Sequence, residues 1–163
     1  METLADPWVE EFDEPMPAGE AGCSALAAGL LQIRSFTERD TYRRGFNRES
    51  AEDLAKVIHE EAAVGAVAIT DTEKVLAFVG YGSDHHLPGE PIASALTREA
   101  IEENRVVFVD GVRASYACPL SKDCPLHSVL VVPLEVDGRV IGTIKLYERA
   151  SQRLFGPARP TRR

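Results

Sequence analysis

Asp137-Gly138 joins two strand-like runs, "SVLVVPLEV" (128–136) and "RVIGTIKLYER" (139–149). A two-residue hairpin turn needs positive φ at its central positions, and Asp-Gly supplies it with the twist that antiparallel strands require. The flanking runs are rich in Val, Leu and Ile and too long for an incidental turn. The segment is therefore expected to fold as a long antiparallel hairpin. Pro133 has no N–H to give to a ladder, so a bulge or a strand edge is expected there.

The remaining periodicities build on that hairpin. "AVAIT" (66–70) and "VLAFVG" (75–80) read as a second pair of strands turned by "DTEK", and "VVFVD" (106–110) as a further strand. Helical spacing appears at Leu26, Leu30 and Ile33 within 24–36. It recurs in 48–62, where Asn47 or Ser50 can cap the start and Glu49, Glu52 and Asp53 suit its positive end. Leu54, Val57 and Ile58 are expected on the core face of that helix, with His59 in solvent. "IASALTREAIEE" (92–103) gives a third helix through Ile92, Leu96 and Ala100. Strand pairs with helices between them predict an α+β fold, an antiparallel sheet with helices packed on it. With 163 residues, one domain is expected.

Charge excludes some partners. The net charge is -8, and residues 1–22 are acidic, Pro- and Gly-bearing and expected to be a disordered arm. Residues 151–163 hold Arg153, Arg159, Arg162 and Arg163 and are expected to be a basic flexible tail. The domain between them offers no basic field for nucleic acid. No apolar run is long enough to span a bilayer, so no membrane insertion by this chain is expected. The N-terminus lacks a signal-peptide apolar segment, which makes the cytoplasm the expected location.

Two loops carry the chemistry. "GSDHHLPGEP" (82–91) places His85 beside His86, and "CPLSKDCPLH" (118–127) holds Cys118, Cys124 and His127. Adjacent side chains in an extended loop point opposite ways, so one imidazole is expected to face a pocket and the other solvent. Thiolates and imidazole together suit zinc or an iron–sulfur centre, with Cys118, Cys124 and His127 as candidate ligands. The spacing of the two cysteines is not that of common zinc sites, and two idle reduced thiols fit it as well. The odd cysteine count argues against a disulfide framework, and Cys23 carries no evident role. Tyr81 and Arg113 flank the same loops and join His85, His86 and His127 as candidate ligand-binding residues. Arg98 reads as a surface residue with Glu102 four positions on. The expectation that ties these together is that the imidazole loop and the thiol loop meet over one cavity.

"SVLVVPLEVDGRVIGTIKLY" is similar to the closing hairpin of GAF domains, small ligand-binding modules of signalling proteins. "YRRGFNRESAEDLAKVIHEEAAVGAVAITDTEKVLAFVGYGSDHHLPGEPI" and "CPLSKDCPLHSVLVVPL" resemble the cytoplasmic GAF domain of LytS-type sensor histidine kinases over roughly residues 25–150. The resemblance implies a GAF-like sensor domain over 23–150. It further implies a small-molecule ligand, a homodimer through flanking helices, and a two-component context with a histidine kinase or response regulator. After "KLYERA" such kinases continue into a histidine-bearing segment and an ATP-binding domain, whereas this sequence ends at Arg163. The chain is therefore expected to sense a ligand or redox state without catalysis, as a free-standing relative or as one domain of a longer protein. Two alternatives stand beside that reading. One is a GAF-fold reductase of free methionine sulfoxide, with Cys124 as nucleophile and Cys118 as its resolving partner. The other is a degenerate dimerisation module whose pocket is filled by side chains.

Overall fold

The computed structural model describes residues 9–11, 32–39, 41, 44–109 and 118–149. The elements are β1 (Val9–Glu11), a helical segment α1 (32–39), α2 (Arg48–Ala62), β2 (Ala66–Thr70), β3 (Val75–Gly80), α3 (Ala95–Glu103), β4 (Val107–Val109), β5 (Leu126–Val136) and β6 (Arg139–Arg149). The strands form one antiparallel sheet in the order β1-β4-β5-β6-β2-β3.

β5 and β6 are the central pair, joined by Asp137 and Gly138 at φ 52° and 75°, the left-handed values expected of their turn. β4 pairs with β5 from Val129 to Val131, so Pro133 lies where one side of β5 has no strand neighbour among the described residues. The register shifts one residue later, between Leu134 and Glu135. There α1 covers the open edge, and the Glu135 backbone N–H donates to the Glu38 carboxylate at 3.1 Å. The β2–β3 connection closes on Asp71, whose carboxylate accepts from the Glu73 and Lys74 N–H groups, both at 2.7 Å.

Helix α2 begins with a reciprocal cap between Asn47 and Ser50 and packs on one face of the sheet. Its buried residues are Ser50, Ala51, Leu54, Ala55 and Ile58, a stripe at alternating steps of one and three. Val57 is not in that stripe. It is 48% exposed, which corrects the expectation that it faces the core. The small residues Ala51 and Ala55 take the buried positions and rotate Val57 outward. His59 is half-buried rather than fully in solvent. The core on this face is made by Val67, Ile69, Leu130, Val132, Leu134, Ile144 and Leu146.

The other face carries Ala66, Ala68, Val107, Val129, Val131 and Tyr147, covered in part by α3 through Ala100 and Leu96. Ser94 caps α3, so Ile92 lies before the helix rather than in it, though it is buried. The rest of this face is roofed by the 81–94 and 118–125 connections. Of the stretch 1–22, Val9–Glu11 is a strand paired with β4 rather than part of a disordered arm. Its backbone satisfies the outer edge of β4, which would otherwise be an open edge. The rest of the arm, residues 24–31 and the tail 151–163 lie outside the described residues.

Candidate functional site

The imidazole loop turns tightly rather than running extended. Gly82 takes φ 95°, and its carbonyl accepts from the N–H groups of both His85 (3.2 Å) and His86 (2.9 Å). In such a helical turn successive side chains are about 100° apart instead of opposed. Both rings therefore fan toward the same place, which corrects the expectation of one inward and one outward imidazole. Their centroids are 4.4 Å apart. His86 lies stacked on Phe78 at 4.7 Å and 8°.

The thiol segment meets them there. Cys118 Sγ lies 3.7 Å from His85 Nε2 and 3.4 Å from His86 Nε2. Cys124 Sγ lies 3.8 Å from His86 Nε2. The four ligand atoms of His85, His86, Cys118 and Cys124 fall within 4.8 Å of one another. On the far side of the first ring, His85 Nδ1 is 2.9 Å from the Asp84 carboxylate, which aims Nε2 at the sulfurs.

Burial dominates the electrostatics. It holds His86 down at about 4, helped by the neighbouring His85 and Lys145 and opposed by Asp84. It pushes the Cys124 thiol up to about 11, against a hydrogen bond from the Leu126 backbone and with the help of Cys118. At neutral pH His86 is a neutral imidazole and Cys124 a thiol. Lys145 on β6 is almost wholly enclosed, and burial lowers it to about 8, with Cys118 opposing.

Beside this cluster is a cavity of about 470 Å³, bounded by the imidazole loop, the start of α3, Pro119, Leu120 and the β6 face. Its floor carries Lys145 and Tyr147, with the Lys145 ammonium 5.2 Å from the Tyr147 ring centroid. Thr70 also lines it and shares a buried hydroxyl–hydroxyl contact of 2.8 Å with Thr143. Lys145 makes no hydrogen bond or ion pair among the described residues; besides the electrostatic influence of Cys118 and His86, its charge meets a π face and the cavity. Leu87 and Leu120, each about half exposed, stand at the rim.

Of the residues singled out from the sequence, the structure brings His85, His86, Cys118 and Cys124 together. His127 lies half-buried on β5 and contributes no atom to the group. Tyr81 is exposed, with the Arg149 guanidinium 4.0 Å above its ring, and does not line the cavity. Arg113 and Cys23 lie outside the described residues. Arg98 lines the cavity mouth and donates to the Ile92 carbonyl at 2.6 Å. Lys145 and Tyr147 were missed. Their signal lies in "TIKLY", where Thr143, Lys145 and Tyr147 alternate with the core residues Ile144 and Leu146 and so share the opposite face.

The GAF domain family model matches residues 46–158. "Sensor histidine kinase BtsS" of Escherichia coli (strain K12) is 50% identical over 133 residues, covering 81% of this chain and 23% of that protein. "Sensor protein LytS" of Bacillus subtilis (strain 168) is 35% identical over 109 residues, covering 65% of this chain and 18% of that protein. The chain thus spans less than a quarter of the length of these curated relatives. The GAF domain from an Acinetobacter phosphoenolpyruvate-protein phosphotransferase matches with a TM-score of 0.56 at 11% identity, over 77% of this chain and 80% of that one. At that identity the likeness bears on the fold alone.

Proposed function

The chain belongs to the GAF domain family, and from that premise we propose that it is the regulatory input domain of a LytS-like two-component system. It takes a small anionic ligand into the cavity over β6 and performs no catalysis itself. The observation that carries this reading is the unpaired, enclosed Lys145 ammonium on the cavity floor. A buried charge without a partner is unfavourable, and an anion of matching size relieves it. The cavity volume falls within the range of small-molecule sites, about 300–1,000 Å³. Apolar walls from Val75, Ile92 and Leu120 restrict the ligand to a small body with one anionic end.

The relative at 50% identity is a sensor histidine kinase and the one at 35% a sensor protein, which supports a signalling context. β6 carries Lys145 and Tyr147 on the cavity floor and pairs with both β5 and β2, so ligand binding is felt through it across the sheet. Two features disfavour the other readings. The raised Cys124 thiol withholds the thiolate that a reductase nucleophile needs. The open cavity differs from the filled pocket of a purely structural module.

Calorimetric titration with acetate, succinate and inorganic phosphate tests the proposal. At least one of the three should bind, and Lys145→Met should weaken it by tenfold or more. Absence of binding by all three at millimolar concentration, or binding indifferent to Lys145→Met, would overturn it.

A further inference from the structure

We propose that His85, His86, Cys118 and Cys124 form a mononuclear tetrahedral zinc site that fastens the imidazole loop to the thiol segment. The inference rests on the geometry of the cluster and stands apart from the anion reading of the cavity.

Distances decide first. With metal–sulfur bonds of about 2.3 Å and metal–nitrogen bonds of about 2.0–2.1 Å, a tetrahedral ion sets a sulfur and a nitrogen ligand about 3.6 Å apart. The sulfur–nitrogen separations here are 3.7, 3.4 and 3.8 Å. The side chains are already at the edges of such a tetrahedron. Only small rotations bring all four ligand atoms, now within 4.8 Å of one another, onto one centre.

Ligand type decides next. Two sulfurs and two imidazole nitrogens in a tetrahedron select zinc among common divalent ions. A two-iron cluster interposes two irons and two sulfides between its ligand pairs and requires a wider spread than this group shows. The iron–sulfur alternative is therefore set aside. His86 is enclosed between Phe78 and His85, and among the described residues the hydrogen-bond contacts of its Nε2 are with the two sulfurs.

The outer shell is also in place. Metal-bound histidines commonly give their other ring N–H to a carboxylate, which fixes the tautomer and orients the ring. Asp84 does this for His85 at 2.9 Å, while its own side chain is 86% exposed. An exposed carboxylate gains little from holding an adjacent histidine for stability alone, since surface pairs contribute at most about 1 kcal/mol. Orienting a ligand gives the contact a purpose. Four protein ligands leave no open coordination position, so the ion is structural and serves to hold the cavity roof, not to activate a water.

Cobalt(II) substitution of the full chain under anaerobic conditions tests the site. The expected result is one equivalent bound, with the intense visible bands of tetrahedral cobalt and a thiolate charge-transfer band, displaced by one equivalent of zinc. Cys118→Ser and His86→Gln should each weaken cobalt binding at least a hundredfold. Asp84→Asn should weaken it about 10–100-fold while leaving the circular dichroism unchanged, because the residue is exposed. His127→Gln should leave it unaffected, and Lys145→Met, which removes a positive charge near Cys118 and His86, should not weaken it, so failure here is distinct from failure of the anion site. Sub-stoichiometric binding, a weak octahedral spectrum, or indifference to Cys118→Ser and Asp84→Asn alike would overturn the proposal.

Discussion

Gly82 shows how much of the site hangs on single backbone positions. Its φ of 95° lies in the region side chains rarely adopt, and an added Cβ would stand 3.1 Å from His86 Cδ2 and 3.5 Å from His85 Cε1. Gly89 at the other end of the loop has a similar φ of 92° but nothing within 4 Å of its absent Cβ. The pair separates backbone strain from displacement of the rings. Both Gly82→Ala and Gly89→Ala should destabilise by about 1–3 kcal/mol from strain. Only Gly82→Ala should also push the imidazoles apart and weaken cobalt binding, by tenfold or more. Thermal unfolding beside cobalt titration of the two variants measures this. Equal loss of cobalt affinity in both would show that loop strain, not ring placement, governs the site.

Helix α2 carries the stability of the opposite sheet face, and its residues divide sharply by position. Leu54 is 3% exposed and sits among Val67, Ile69 and their neighbours, so Leu54→Ala should cost about 2–5 kcal/mol. Val57, one turn on but 48% exposed, should change stability by no more than about 0.5 kcal/mol as Val57→Ala. Denaturant unfolding compares them, and a Val57 effect as large as that of Leu54 would contradict the orientation of the helix. Val57 also marks where sequence reasoning gave out. Apolar spacing alone does not distinguish a stripe through Leu54 and Val57 from one through Ala51, Leu54 and Ala55, because alanine weighs little in such a pattern while being the residue that permits close packing. The β5–β6 hairpin was legible because Asp137-Gly138 and the β-branched runs agree locally. The β2–β3 pair was legible for the same kind of reason, with Asp71 closing its turn. The His85–His86 arrangement was not, since it depends on the Gly82 carbonyl drawing both N–H groups into one turn. Lys145 was hidden because a lysine in a strand ordinarily points to solvent, and only the roof supplied by two distant loops encloses it.

At the scale of the whole molecule the sheet divides its labour. One face buries an aliphatic core beneath α2, while the other holds a charge, a cavity and the thiol–imidazole cluster under loops. The stable face allows the other to retain an unfavourable group. Lys145 titrates near 8 in the folded chain against an ordinary value of 10.5, so folding disfavours its charged form. Below pH 8 the lysine is charged in both folded and unfolded chains, and the destabilisation is fully present, on the order of 3 kcal/mol at most. Between pH 8 and 10.5 the folded chain has released this proton and the unfolded chain has not, so the destabilisation fades as pH rises. The titratable or charged groups bordering the cavity with it are His85, His86, Glu90, Arg98 and Tyr147, and Cys118 acts on it electrostatically, so the readout must be a difference that isolates Lys145. Lys145→Met should therefore be more stable than the parent chain at pH 7, with the gap closing toward pH 10.5. Over the same interval the parent chain should lose affinity for its anion by up to about tenfold per pH unit, because only the ammonium form binds it. Paired denaturant titrations and calorimetry from pH 7 to 10.5 measure both arms. A stability gap that stays constant, or an anion affinity flat across pH 8, would show that the enclosed ammonium neither strains the empty domain nor holds its ligand.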